Sequence, residues 1–195
     1  MTKHLDEAAP GFRVRLRHTH ELSAEFRGQL VGFLSEAFAG DFDADDFDHA
    51  LGGVHVLAVD ASGGLLGHAA VVQRRVVLGD PTPHSRVLRA GYVEAVAVAA
   101  RARRRGIGDS LMRSVDRIVD RSFDVGALAA SEAGKPLYLR HDWSFWTGPL
   151  GVLSPTGPRL TPDEDGSVLV RVPSTTSPIE LSAPLYCDWR PGAVW

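Results

Sequence analysis

The stretch that most constrains this chain is residues 91–111, which reads Gly91-Tyr92-Val93-Glu94-Ala95-Val96-Ala97-Val98, then Ala99-Ala100-Arg101-Ala102, then Arg103-Arg104-Arg105-Gly106-Ile107-Gly108-Asp109-Ser110-Leu111. The first part is apolar and β-branched enough to be a buried strand. The last part opens an amphipathic helix. Between them lies a basic turn ending in Gly-x-Gly. A strand, a glycine turn and a helix N-terminus point several backbone N–H groups and a partial positive charge at one spot, which suits a phosphate group. A carboxylate, Glu94, sits inside the strand before the turn. A charge in an apolar strand is costly unless it is paired, solvated or used. Glu94 is therefore either a paired structural charge or a working one. The Arg103–Arg105 run reads as a solvated face or a phosphate contact, and its place before Gly-x-Gly favours the contact.

With 195 residues, the chain is most simply one domain spanning 1–195, with residues 1–11 a loose tail. A formal net charge of −3 argues against a general nucleic-acid role. Cys187 is the single cysteine, so no intrachain disulfide can form. The N-terminal residues lack the apolar core of a signal peptide, and no apolar run is long enough to span a bilayer. The expected location is the cytoplasm.

Residues 12–16 alternate apolar and basic, as an edge strand does. Ser23 can cap a helix reaching about Phe38, with Phe26, Leu30, Phe33, Leu34 and Ala37 on one face and Gly40 ending it. The acidic run 41–48 is either a solvated turn with a short helix over 45–51 or a cation-binding rim. It lacks the central Gly and terminal Glu of a calcium loop. Strands are expected over 54–59 and 65–77, joined by a turn at 61–64, then a loop at 79–83 and the approach to the central strand from Val87. Short turns between consecutive strands imply an antiparallel meander. The helix after Gly108 places Leu111, Val115 and Ile118 on one face and leaves Asp116, Arg117 and Asp120 for solvent. A strand at 125–130, reached through that helix, should run parallel to the central one. A short helix over 132–140 carries Tyr138, weakened by Gly134 and Pro136. Residues 141–146 form an aromatic corner, 154–166 read as a loop, and 168–172 and 185–189 are late strands. The histidines show no helix-spaced metal pair with a third ligand, so no metal is expected. His68 reads as a satisfied core histidine, Cys187 as a structural thiol, and Trp143, Trp146 and Trp189 as core or wall.

This element order resembles the GNAT acyl-CoA N-acyltransferase fold: an α/β, mixed, mostly antiparallel sheet, splayed at the central strand and flanked by helices. Residues 38–42, 51–53, 68–75, 91–94, 154–158 and 187–190, with the closing Val194-Trp195, further resemble the aminoglycoside 2′-N-acetyltransferases. The resemblance implies acetyl-CoA as cosubstrate, held by Val96, Ala97 and Val98 through the strand backbone and by Arg103, Arg104, Arg105, Gly106, Ile107 and Gly108 at the pyrophosphate. It implies substrate contacts at Asp41, Glu94, Ala95, Ala129, Glu164 and the terminal carboxylate of Trp195. Glu94 and Tyr138 match the catalytic positions, with Tyr138 the candidate acid for the leaving thiolate and core packing its alternative reading. A homodimer is also implied. Family members acting on gentamicin-type drugs carry Ser at the position of Ala129 and Asp at those of Glu164 and Ala193. Two polar groups are thus missing and one acid is lengthened, and the deleted acid weakens the field that holds a polycation. The expectation is therefore 2′-N-acetylation of a less cationic aminoglycoside such as kasugamycin. The alternatives are gentamicin- or tobramycin-type drugs, another small amine, a protein amine or a non-catalytic acyl-CoA sensor.

Overall fold

The computed structural model describes residues 7–9 and 11–195, with side chains from Gly11 onward. The chain falls into two compact units, one made of Met1–Val72 and Val93–Val115, the other of Gln73–Tyr92 and Asp116–Trp195.

The first unit begins with β1 (Glu7–Ala9), β2 (Phe12–His18), α1 (Ala24–Ala37), α2 (Ala44–His49) and β3 (Val54–Val59). It takes the leading part of β4 (Leu65–Leu78), the closing part of β5 (Arg86–Val98) and the first turns of α3 (Ile107–Ser122). The expected meander is present: β2 runs antiparallel to β3, and β3 antiparallel to β4. The expectation of an edge strand at 12–16 is corrected. Glu7–Ala9 folds back and pairs antiparallel with residues 12–14, so β2 has a neighbour on each side there. The rest of the expected tail, residues 1–6 and 10, lies outside the described residues.

Ser23 caps α1 by accepting the Phe26 N–H, as the sequence implies. Leu30 and Leu34 are fully buried against Leu57 and Val59 of β3 and Ala97 of β5. Gly67, one residue before His68 and so on the opposite face of β4, lies under Ile107 and Leu111 of α3. The alternation of the strands thus puts α1 and α3 on opposite faces of the sheet. Asp43 caps α2 and pairs with Asp46 in a capping box, so two of the acidic residues serve the helix start.

The second unit holds the closing part of β4, the opening part of β5 and the remainder of α3. It then adds β6 (Val125–Ala129), α4 (Lys135–Leu139), β7 (Ser144–Phe145), β8 (Leu150–Ser154), β9 (Gly157–Leu160), β10 (Val168–Arg171) and β11 (Leu185–Asp188). β6 is parallel to β5 over Ala90–Tyr92, the direction expected for a helical crossover. β10 runs antiparallel between β6 and β7. β11 pairs antiparallel with β4 and parallel with β8.

Three expectations are corrected in this unit. Residues 154–166 are not all loop, because β8 and β9 form a hairpin whose turn is closed by Ser154 Oγ donating to the Gly157 carbonyl. Asp116 is not left to solvent: its two carboxylate oxygens accept from Trp143 Nε1 at 2.9 Å and meet His141 Nδ1 at 2.7 Å. Val119, rather than Ile118, is the fully buried residue on that turn of α3. Trp143 and Trp146 are buried, while Trp189 is exposed. Among the described residues, no helix is long and apolar enough to cross a membrane.

Candidate active site

Among the described residues, the central strand carries the one non-glycine residue with a positive φ inside a strand. Ala95 has φ 51° in the middle of β5, between Glu94 and Val96. A non-glycine residue in the left-handed region costs about 1–3 kcal/mol and persists only where neighbours hold it. One such residue within a strand marks a bulge, which re-aims the groups on either side. Glu94, Ala95 and Val96 are all half-buried, so the strand is partly open here. The sequence picks out Glu94 by its charge, but not the bulge beside it.

The bulge is held from below. The Ala95 carbonyl lies 2.8 Å from His68 Nδ1, and His68 Nε2 lies 3.0 Å from His55 Nδ1. His55 Nε2 in turn meets the Thr19 hydroxyl at 2.9 Å. Both rings are fully buried. Burial pushes His68 down to about 3, with His55 adding to the effect. Burial, with the charges of His18 and Arg27, pushes His55 down to about 4. Both imidazoles are therefore neutral near neutrality. His68 is a satisfied core histidine, as its apolar strand suggests, but its partner is the bulge itself.

After β5 the chain makes one short helical turn and enters the basic segment. Arg104 has φ 60° and Gly106 φ 75°. Left-handed residues alternating along a turn gather successive N–H groups into a concavity that suits an anion. α3 follows at once, and its first backbone bond runs from the Ser110 N–H to the Gly106 carbonyl. The preceding N–H groups of its first turn lack helical partners, as at any helix start. Arg103, Arg104 and Arg105 are exposed, and Ile107 is buried as the anchor of the helix. These features fit a pyrophosphate.

Asp41 follows α1 and is exposed, while its neighbour Phe42 packs on the same apolar cluster as Ala95. Asp41, the Glu94–Val98 strand and the 103–108 turn all belong to the first unit.

The second unit holds the other expected residues. Tyr138 is buried on α4, its ring 6.5 Å from that of Trp143, and burial pushes its hydroxyl up to about 12. Ala129, at the end of β6, is exposed. Glu164 is half-buried, and its carbonyl accepts from Ser167 Oγ at 2.7 Å. Trp195 is buried, and its indole Nε1 finds no partner among the described residues.

The tail before Trp195 is gripped by a residue to which the sequence reading assigns no role, although it lies within the 68–75 stretch. Arg74, itself buried, donates from Nε to Asp188 Oδ1 at 2.8 Å, from Nη2 to the Asp188 carbonyl at 2.6 Å, and from Nη1 to the Val194 carbonyl at 2.7 Å. Its guanidinium stands 4.8 Å over the Tyr92 ring. Cys187 Sγ also donates to the Val194 carbonyl, and burial pushes this thiol up to about 11. A thiol so protonated is not a ready nucleophile.

Residues 18–146 match the family model of the acetyltransferase (GNAT) domain. The chain belongs to the GNAT acetyltransferase family and is an N-acetyltransferase. It is 40% identical over 183 residues, 93% of its own length, to the aminoglycoside 2′-N-acetyltransferase of Mycolicibacterium fortuitum, and covers 91% of that protein. Solved structures share the fold at lower identity. The GNAT-family N-acetyltransferase YhbS of Escherichia coli, crystallised in complex with CoA, superposes with a TM-score of 0.56 at 14% identity, covering 94% of this chain and 93% of that one. An acyl-CoA N-acyltransferase from Pseudomonas aeruginosa gives a TM-score of 0.55 at 18% identity, covering 83% and 99%. Eis1 from Mycobacterium abscessus gives 0.53 at 22% identity over 71% of this chain, which spans about a third (33%) of that one.

Proposed function

We propose that this N-acetyltransferase moves the acetyl group of acetyl-CoA to the 2′-amine of an aminoglycoside, with kasugamycin the favoured substrate. The observation that carries the reading is the 40% identity, across 93% of the chain, to an aminoglycoside 2′-N-acetyltransferase. The turn at 103–108, with its exposed arginines and left-handed Arg104 and Gly106, supports coenzyme binding there. Val96, Ala97 and Val98 would offer backbone groups to the pantetheine arm.

When bound, acetyl-CoA supplies the activated acetyl group and a thiolate leaving group. The protein's part is to deliver a neutral amine. At neutral pH an amino sugar is largely protonated, and only the free base attacks. Glu94 holds the ammonium and receives its proton, directly or through water. The Val96 N–H, re-aimed by the bulge, polarises the thioester carbonyl. Tyr138 donates a hydrogen bond to the departing sulfur. Burial pushes its hydroxyl up to about 12, so it stays protonated and can donate its proton to that sulfur. Asp41, Glu164 and the Trp195 carboxylate would hold further amines, with Ala95 and Ala129 lining the substrate.

The substrate choice rests on the alanines at 129 and 193, both exposed and uncharged, which leave a weaker field for a polycation. The second reading is 2′-N-acetylation of gentamicin- or tobramycin-type drugs, favoured by the carboxylates that remain at Asp41, Glu94 and Glu164. Thiol release from acetyl-CoA across an aminoglycoside panel separates the two, with the acetylated position read by NMR of the product. Kasugamycin should turn over in preference to gentamicin, and Glu94→Gln should lower kcat by about 10²–10⁴. The double variant Ala129→Ser, Ala193→Asp should improve binding of the polycationic drugs. Preferred turnover of gentamicin would overturn the substrate choice.

A further inference from the structure

We propose that Thr19, His55 and His68 form a fixed hydrogen-bonded strap that holds the Ala95 bulge, and so act as positioning residues for Glu94 and Val96. The inference rests on the reading in which those two residues serve acetyl transfer.

The proton positions along the strap follow from its last link. A carbonyl oxygen only accepts, so His68 Nδ1, 2.8 Å from the Ala95 oxygen, must carry a proton. A neutral imidazole has one N–H, so His68 Nε2 is bare and accepts. His55 Nδ1, 3.0 Å away, therefore donates to it, and His55 Nε2 is bare in its turn. The Thr19 hydroxyl supplies the next proton at 2.9 Å. The Gly53 carbonyl, 3.2 Å from that hydroxyl, already receives the Thr19 backbone N–H at 3.0 Å. The Thr19 oxygen then accepts the Gly52 N–H at 2.9 Å. Every donor and acceptor in the line is used once, with a single direction of donation.

That direction decides the function. A chain of groups that moves protons needs a terminus able to gain or lose one. This chain ends on a peptide oxygen, so it carries no proton to Glu94. What it does is pull the Ala95 carbonyl into the sheet, which keeps the left-handed φ of 51° occupied. The neutrality of both rings suits this role. A second proton on His68 would turn its Nε2 from an acceptor into a donor facing another donor. Burial and the neighbouring His55 oppose such protonation of His68, and burial, His18 and Arg27 oppose it at His55. Two buried imidazoles in a row are also costly unless fully satisfied, which here they are.

The direct test is ¹⁵N NMR of the imidazole rings in the unaltered protein. Nδ1 should be protonated and Nε2 bare in both His55 and His68, the reverse of the tautomer that free neutral histidine prefers. A proton on His68 Nε2 with Nδ1 bare would overturn the proposal. The variants His68→Leu and His68→Asn then separate positioning from bulk. Asparagine places an amide N–H where Nδ1 stood, whereas leucine offers none. His68→Leu should shift the backbone amide signals of residues 94–96 and lower kcat by about a hundredfold, with coenzyme binding changed far less. His68→Asn should recover most of that loss. A leucine variant with unchanged kcat, or an asparagine variant no better than leucine, would overturn the proposal. The ring tautomers are read without any substitution, so they decide even where a variant fails to fold. If no amine is acetylated at all, the functional reading falls instead. The strap is then judged on the ring nitrogens and the amide shifts of 94–96 alone.

Discussion

At the scale of single residues, the site turns on Ala95. Glu94 is legible in the sequence because a lone carboxylate in an apolar strand calls for an explanation. The bulge is not, because an alanine bears no mark of left-handed geometry; glycine or asparagine would have. The histidines fail to show for a different reason. His55 and His68 lie thirteen positions apart, and only the pairing of His55 with Ala70 and Leu57 with His68 sets them diagonally on one face. Side-chain period alone puts each in the core without saying that they touch. The backbone at 95 has a direct consequence for substitution. Valine is β-branched and strongly disfavoured at positive φ, so Ala95→Val should destabilise the fold by about 1–3 kcal/mol. Ala95→Gly should be near neutral in stability, since relief of strain offsets the added freedom of the unfolded chain. Urea denaturation of the two variants checks this, and equal stability for valine and glycine would mean the strand is regular there.

At the scale of elements, most of the first unit is readable and the second less so. α1 carries its cap and its apolar face in the open, and β3 to β4 is a hairpin around the Ala61-Ser62-Gly63-Gly64 turn. The β8–β9 hairpin is hidden because its second strand, Gly157–Leu160, is short, exposed and contains Pro158. Nothing in that composition separates a short edge strand from a loop. The seat of α3 is legible only after the fact. A Cβ built on Gly67 would lie 2.8 Å from Ile107 Cγ2, 3.1 Å from Leu111 Cδ1 and 3.2 Å from the Ala97 carbonyl. The absence of a side chain in β4 is what lets the first turn of α3 sit this close. That same turn presents the N–H groups beside Gly106. Gly67→Ala must therefore displace the Ile107 side chain or the helix that carries it, and should cost about 1–3 kcal/mol of stability. It should also weaken coenzyme A binding, because the anion site moves with the helix. Calorimetric titration of coenzyme A into the folded variant tests the link. Unaltered affinity in a destabilised protein would show that the turn at 103–108 is set independently of the helix seat.

At the scale of the whole molecule, the buried titratable groups define a pH range for stability. His55 and His68 have native values of about 4 and 3 against an ordinary 6.5. Between those limits the unfolded chain binds protons that the native state refuses, so unfolding becomes easier as pH falls. Their contribution is complete above about 6.5 and is lost progressively as pH drops toward 4 and below, in total on the order of several kcal/mol. Asp60, held below its ordinary range by hydrogen bonds from Ser62 and Gly64, and Asp124, held down by Arg89, add loss in the same direction at lower pH. On the alkaline side the signs reverse. Cys187 at about 11 and Tyr138 at about 12 keep their protons in the native state after the unfolded chain has begun to release them. Stability should then fall as pH rises above about 9, the ordinary value of the cysteine. The expected profile is a plateau between roughly pH 6.5 and 9, with a steep acid limb and a shallower alkaline one. Urea midpoints measured from pH 4 to 10 give this curve directly. In His68→Asn the acid limb should flatten, since one of the two refused protons no longer exists. An acid limb of full steepness in that variant would mean that carboxylates, and not the buried imidazoles, set the lower limit.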